Sequence, residues 1–270
     1  MKTSALIIAA LFAGTTFAAT TAMAQQGGIG GNVNLKSAVS VSGTIKAGKK
    51  SILHLGNSQL KNSHIGGNFT GRLNSKVNGD VILKKGAHLE HGSVYLNGSQ
   101  VTGNLKVNTS AQSGKIELGK NAKYYQSSLV MDNSHVNGDL TFNSRSKTGR
   151  VTLGKNGYGN IASLRMNGST INGGNVDLNA QTGNVRIDKN GKAYIGAMDL
   201  TGATITGAAN FKSNVNVGDV RVKKGGTLNV GSLVLNGGTY GGFDLESNVT
   251  MSQPITVEKG GEVEIGAVEM

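Results

Sequence analysis

The sequence contains no cysteine, no tryptophan and a single proline, and only 4% of its residues are aromatic. The lack of cysteine excludes disulfide bonds and a lipid anchor on a cysteine, so backbone pairing and core packing must hold the fold together. The near absence of proline excludes a collagen helix, although there are 42 glycines. Abundant glycine with few aromatic residues is typical of many tight turns between short strands around a thin core.

The apolar residues recur in short alternating groups, and after the first 24 residues no segment has the spacing of an amphipathic helix. Residues 218–252 hold six such groups with the period-two pattern of strands. They are Val220-x-Val222, Leu228-x-Val230, Leu233-x-Leu235, Tyr240, Phe243-x-Leu245 and Val249-x-Met251. Glycine, asparagine, serine or paired lysine separates them, as expected for turns.

This stretch is one copy of a tandem repeat, whose six full copies cover residues 44–252. The copies are residues 44–79, 80–114, 115–149, 150–183, 184–218 and 219–252. Residues 25–43 and 253–270 together make a seventh, split copy. A fixed period of this length is the signature of repeat architectures such as solenoids and propellers.

Two residue types recur at the repeat spacing of 34–36 residues. The glycines are Gly31, Gly67, Gly103, Gly138, Gly173, Gly207 and Gly242, and the lysines are Lys49, Lys85, Lys120, Lys155, Lys189, Lys224 and Lys259. We interpret the glycines as corners that need a positive φ or a close backbone approach. We interpret the lysines as a line of charge along one edge, which either keeps the rod soluble or docks a polyanion.

The repeat predicts an all-β, single-domain β-solenoid over residues 25–270. Six strand groups per repeat favour two coils of three short strands each, and therefore fourteen coils in a rod of roughly 65–70 Å. With one lysine every two coils, neighbouring lysines would lie about 9–10 Å apart. The alternatives are one large coil per repeat or a blade-like antiparallel sheet. The column of Leu83, Leu118, Leu153, Ile187, Val222 and Val257 is predicted to point inward.

Residues 1–24 have the features of a cleaved signal peptide. Lys2 precedes an apolar core at residues 5–12, and Ala22-Met23-Ala24 is a small-x-small cleavage site. The apolar core is much shorter than a membrane-spanning helix, so we expect no membrane span in the mature chain. Without Lys2, the formal net charge of +12 becomes +11. Such an exported basic protein is attracted to anionic polysaccharide or extracellular DNA.

We find no constellation of residues that predicts catalysis or a cofactor. A glycosidase or lyase needs a clustered acid and base in one groove, and no such cluster can be assembled. His54, His64, His91 and His135 are scattered and are interpreted as solvated turn residues rather than as metal ligands. The chain is therefore predicted not to be an enzyme and to bind no metal.

The secreted, cysteine-free, glycine- and asparagine-rich repeat resembles bacterial extracellular β-solenoid proteins, namely adhesin passengers and fibre subunits. It is similar to curlins in plan, with a signal peptide followed by tandem strand repeats, but the curlin pattern of spaced serine, glutamine, glycine and asparagine is not found. The resemblance implies a protein secreted to the surface or surroundings of a bacterium. It transfers no functional residue.

Three functions follow as hypotheses. The first is a structural subunit that polymerises head to tail into a fibre of the cell surface or biofilm matrix. The second is a monomeric adhesin whose lysine edge binds anionic polysaccharide or nucleic acid. The third, ice or mineral binding, needs a flat ladder of Thr-x-Thr, and Thr204-Ile205-Thr206 is isolated.

The fibre hypothesis depends on the two ends of the repeat array. By the glycine and lysine columns, Gln25 occupies the repeat position that follows the position of Met270. The end copies keep the apolar pattern and carry no polar cap, and such open strand edges are templates for pairing. The predicted polymerisation interface consists of Ile29, Val33, Leu35, Val263, Ile265, Val268 and Met270.

Overall fold

The structure, a computed structural model, describes residues 22–269 and confirms a β-solenoid. Within this range there are 32 strands, which form one 18-stranded and two seven-stranded parallel sheets. Strand residues pair with the equivalent residues one repeat away, as Val33 with Phe69 and Leu105 with Leu140. The chain thus winds through about seven turns, and at about 4.8 Å per turn the rod is roughly 34 Å long.

The prediction of two coils per repeat is wrong, because one repeat makes one turn. Leu118 pairs with Leu83 and with Leu153, one full repeat away on either side. The two halves of a repeat differ in sequence because they build two lobes of the same turn. The last three apolar groups of residues 218–252 belong to a single strand, Thr239–Met251, rather than to three strands.

The strands fall into five columns, numbered here in chain order within a turn. The first column contains Ile45–Ala47, Val81–Leu83, Ile116–Leu118, Val151–Leu153, Val185–Ile187, Val220–Val222 and Ile255–Val257. The second contains Ile52–Leu55, His88–His91, Lys123–Gln126, Tyr158–Ile161, Lys192–Ile195, Thr227–Val230 and Glu262–Ile265. The third contains Ala22–Ile29, Ser58–Ile65, Val94–Asn97, Leu129–Asp132, Leu164–Asn167, Met198–Asp199, Leu233–Val234 and Val268–Glu269.

The fourth column is short and the fifth is long. The fourth contains Gln100–Val101, His135–Val136 and Thr170–Ile171, and the first two strands of the third column extend into it. The fifth contains Val33–Val41, Phe69–Val77, Leu105–Gln112, Leu140–Lys147, Gly174–Thr182, Thr204–Val217 and Thr239–Met251. The last two of these begin in the fourth column and continue into the fifth.

Each turn encloses two separate apolar cores. The first and second columns close around residues such as Val81, Leu83 and Leu89. The third and fourth columns close around residues such as Leu96 and Leu105. The fifth column crosses both lobes, so the long strand joins the two cores into one turn.

Between the lobes, the junction of the second and third columns approaches the middle of the fifth; we call this region the waist. Ser213 Oγ donates a hydrogen bond to the Gly196 carbonyl at 2.6 Å, and Ser247 Oγ donates one to the Gly231 carbonyl at 2.7 Å. Gly196 has a φ of 59°, in the left-handed region, and a Cβ there would overlap Val215. Glycine therefore lets the chain turn inward and approach the long strand.

The predicted inward column is confirmed in the rod interior. Leu83, Leu118, Leu153, Ile187 and Val222 are buried. Val257 is 43% exposed because it lies in the last turn, where no further turn covers it in the described residues. The neighbouring Thr152 is half-buried and faces outward.

The N-terminal strand begins at Ala22, three residues before the predicted mature start at Gln25. Residues 1–21 of the predicted signal peptide lie outside the described residues. Within residues 22–269, no helix has the length and apolarity to cross a lipid bilayer.

Replacing Leu153 with Asp should destabilise the rod by several kcal/mol, because the carboxylate would enter an apolar core without a partner. Thr152→Asp, one residue away on the outer face, should change the free energy of unfolding by about 0.5 kcal/mol or less. Urea unfolding followed by circular dichroism compares the two variants. Equal tolerance would contradict the register.

Candidate functional site

The two end turns are the surfaces where the stacking of the rod stops. We call residues 22–57 the head turn and residues 235–269 the tail turn. In the described residues, Val33–Val41 pairs only with Phe69–Val77, and Thr239–Met251 pairs only with Thr204–Val217 and so on one side. Each end turn therefore presents one row of backbone groups that interior turns use for pairing.

Exposed apolar side chains are confined to these end turns. Six large apolar residues in the described range are exposed: Ile29, Ile52, Ile255, Val257, Ile265 and Val268, at 38–67%. The first two belong to the head turn and the other four to the tail turn. Five of the six occupy inward columns that further turns cover in the interior of the rod, so a partner at either end would cover them, whereas Ile52 lies in an outward column with His88 and Lys123.

The predicted interface residues all lie at the two ends, apart from one that is not described. Ile29, Ile265 and Val268 are exposed, and Val33, Leu35 and Val263 are partly buried against the cores. Met270 lies outside the described residues. Their part in polymerisation stays a prediction.

The end turns carry opposite charge, a feature that our sequence analysis missed. The head turn contains four lysines and no acidic residue, whereas the tail turn contains six acidic residues and one lysine. A charge count made turn by turn instead of over the whole chain would have found this. Opposite charges on two surfaces favour their association and suppress contacts between like ends.

Three acidic groups of the tail, Glu262, Glu264 and Glu269, lie close to one another. Burial and the nearby charges of Glu269 and Glu262 raise the pKa of Glu264. Its Oε2 atom is buried without a hydrogen-bond partner in the described residues. A carboxylate in this state gains from a cation or a donor placed beside it.

At the head, a histidine pairs with a buried carboxylate in the second column. His54 Nδ1 lies 2.6 Å from Glu90 Oε2, which also accepts hydrogen bonds from Asn57 Nδ2 at 2.8 Å and Gln59 Nε2 at 2.6 Å. Burial alone would raise the pKa of Glu90, but the hydrogen bonds and charges of His54 and His88 outweigh it and lower the pKa to about 2.

Two acidic tail residues, Glu264 and Glu246, share columns with His54 and Lys36 of the head. The pairing runs from His54 through Glu90 and onward to Glu264, and from Lys36 through Lys212 to Glu246. Within the chain, Lys212 Nζ lies 2.8 Å from Glu246 Oε2. Hydrogen bonds from Lys212 and Asn248 lower the pKa of Glu246. Adjacent turns are thus joined by a hydrogen bond between side chains in the column of His54 and by an ion pair in the column of Lys36.

The seven column lysines lie on an exposed edge between the first and second columns. Because one repeat makes one turn, adjacent lysines are about 4.8 Å apart along the axis rather than about 9–10 Å. In the part of the chain that the structure describes, none of the seven forms an ion pair with an acidic side chain. This edge is a dense line of positive charge.

The column glycines lie at the corner that leads into the fifth column. A Cβ at Gly103 would overlap the Asn68 side-chain oxygen, and a Cβ at Gly138 would overlap that of Asn104. These asparagine oxygens accept hydrogen bonds from the backbone of the next turn, as Asn68 Oδ1 does from Asn104 N at 2.7 Å. Glycine at this corner therefore allows the asparagine side chain of the preceding turn to approach the backbone closely.

The interpretation of the four histidines as solvated turn residues is wrong, because all four lie in strands and only His64 and His135 are exposed. His54 is hydrogen-bonded to Glu90 as described above, and His91 is buried in the second column. His91 Nδ1 lies 3.3 Å from Tyr124 Oη, and its Nε2 has no partner in the described residues. His91 follows Leu55 in an inward column, which the repeat alignment already indicated.

The buried His91 should make the fold sensitive to acid. Burial lowers its pKa from 6.5 to about 4, so the unfolded chain binds the proton first as the pH falls. The free energy of unfolding is therefore unaffected by the titration of His91 above pH 6.5, and between pH 6.5 and pH 4 this titration lowers it by about 3 kcal/mol in total. His91→Leu should flatten the pH dependence of urea unfolding between these values, whereas His135→Leu, at an exposed site, should not. An unchanged pH profile in His91→Leu would contradict this assignment.

Comparison of the chain with protein-family models, with curated proteins and with solved structures gives no significant match.

Proposed function

We propose that the chain is a secreted structural protein whose copies stack head to tail into an extracellular fibre. The observation that carries this proposal is the confinement of the exposed large apolar residues to the two end turns. The predicted signal peptide supports export, and the resemblance to bacterial fibre subunits supports a place at the cell surface or in a biofilm matrix.

The proposed contact continues the five strand columns from one copy to the next. The fifth-column strand Thr239–Met251 of one copy lies against Val33–Val41 of the following copy. In this register Leu245 meets Leu35, and Ile255 meets Ile45, so apolar residues cover apolar residues. Burial of such surface is worth about 25 cal/mol per Å².

Charge favours the same register. Glu246 of the tail meets Lys36 of the next copy, and Glu264 meets His54. Each contact repeats one already present between adjacent turns of one chain, namely the ion pair of Lys212 with Glu246 at 2.8 Å and the hydrogen bond between His54 and Glu90 at 2.6 Å. Tail-to-tail stacking would instead bring acidic residues together, which is unfavourable.

A head-to-tail contact does not close on itself, so it produces a filament rather than a dimer. The lysine edge runs along the side of that filament. Charged side chains on the flank discourage sideways sheet association, so growth is directed along the axis.

Charge exchange at the junction tests this arrangement with the chain that begins at Gln25. Lys36→Glu and Glu246→Lys should each form few fibres alone, because each places like charges at the junction. An equimolar mixture should form fibres, since every junction of an alternating copolymer then pairs opposite charges. Negative-stain microscopy and pelleting measure the outcome.

Lys106→Glu serves as the control, because it makes the same charge change on an exposed residue in the middle of the rod. It should assemble like the unmodified chain. Fibres from both single variants without any effect of mixing would contradict the register, and a native chain that stays monomeric at high concentration would contradict the fibre.

A second candidate function is docking of an acidic polysaccharide along the lysine edge, either by a fibre or by a monomeric adhesin. The observation that favours it is the exposed line of seven lysines at about 4.8 Å. Like charges at this spacing repel one another, and a polyanion relieves the repulsion and releases its own counterions on binding.

Replacing all seven column lysines with glutamine should weaken binding to alginate and make its salt dependence shallower. A matched variant removes the same charge elsewhere, at Lys46, Lys61, Lys76, Lys106, Lys115, Lys123 and Lys147. Equal losses in both variants would show that net charge and not the edge is responsible. Tighter binding of duplex DNA than of alginate would identify nucleic acid as the partner.

A further inference from the structure

Residues 22–24 occupy the outer edge of the third column in the head turn. Ala22 pairs with Ser58, Met23 with Gln59 and Ala24 with Leu60. These residues immediately precede the predicted cleavage point. Residues from Gln25 onward continue the strand, with Gln25 paired to Lys61 and Ile29 to Ile65.

The tail turn ends with residues at the same column position. Val268 pairs with Leu233 and Glu269 with Val234, and the third-column pairing leads back from Leu233 through each turn to Ser58. Val268 and Ala22 are therefore equivalent positions. Val268 is 44% exposed, and within the described residues no strand lies on its outer side.

In the proposed fibre, Val268 and Glu269 of one copy lie against Ser58 and Gln59 of the next. A strand edge has one row of outward N–H and C=O groups, and it pairs with one strand at a time. Residues 22–24 of the receiving copy fill this row in the described structure. The two occupants exclude each other.

We propose that residues 22–24 block the head surface in the unprocessed chain, and that removal of residues 1–24 opens it to the tail of a second copy. This inference rests on the proposed function. Cleavage after Ala24 removes the competing residues and leaves the strand from Gln25 to Ile29 in place. Assembly is thereby delayed until the signal peptide has been removed.

The test compares the fibre-forming concentration of a chain of residues 22–270 with that of a chain of residues 25–270. The longer chain should need about tenfold more protein or higher, the factor that about 1.4 kcal/mol of competing strand pairing produces. Pelleting of fibres over a concentration series, with negative-stain images, gives this value for each chain.

A third chain carries Pro-Gly-Pro in place of residues 22–24. Proline lacks the N–H that strand pairing requires, so this extension has the same length but leaves the edge free. It should assemble at nearly the concentration of the 25–270 chain. A shift as large as that of the natural residues would mean that any extension hinders assembly, and would overturn the inference.

The two proposals fail in different ways. If the 22–270 and 25–270 chains form fibres at the same concentration, the blocking role is wrong and the fibre stands. If the 25–270 chain forms no fibres, the proposed function itself is wrong, and the blocking role with it.

Discussion

The structure depends on one constraint: the strand residues lie beside their equivalents one repeat away, in a parallel pairing that keeps its register except between Ile205 and Ala208. The same type of residue must therefore recur at the same position of every turn. Apolar columns become cores, and asparagine columns become ladders in which a side chain serves the next turn. Asn32 Oδ1 accepts a hydrogen bond from Asn68 N at 2.8 Å, and Asn104 Oδ1 accepts one from Asp139 N at 2.9 Å.

The same constraint explains why the unpaired strand edges lie at the two ends. The strands of an interior turn pair with a neighbouring turn on both sides, whereas the strands of an end turn pair on one side only. The sequence does not blunt these edges with polar or helical caps in the described residues, and it places acidic residues in the tail and lysines in the head. The same parallel strand pairing can continue from one chain to the next, provided that the next copy stacks in register.

The repeat length and the inward column could be predicted from the sequence, because both depend on a local alternation of apolar and polar residues that recurs in seven copies. One turn per repeat was not predicted. Ser247 separates two apolar groups within the strand Thr239–Met251, and it reads as a break because it is polar. Its role, a hydrogen bond to the Gly231 carbonyl at the waist, depends on residues 16 positions apart and is visible only in the folded turn.

The burial of some polar residues could also be predicted from the sequence. The alignment places His91 in a column with Leu55, and that column position indicates burial. The contact of His54 with Glu90 can be predicted only if residues 36 apart are known to lie in adjacent turns. Two coils per repeat would have placed another coil between them. The opposite charges of the end turns needed no structure, only a count for each turn.

Helical reconstruction of the fibres formed by residues 25–270 tests the central claim most directly. One repeat per turn and an unbroken junction predict a rise of about 34 Å per subunit, with strands spaced at about 4.8 Å through the junction. A rise near 65–70 Å, a gap between copies, or one chain per 4.8 Å layer would contradict the account.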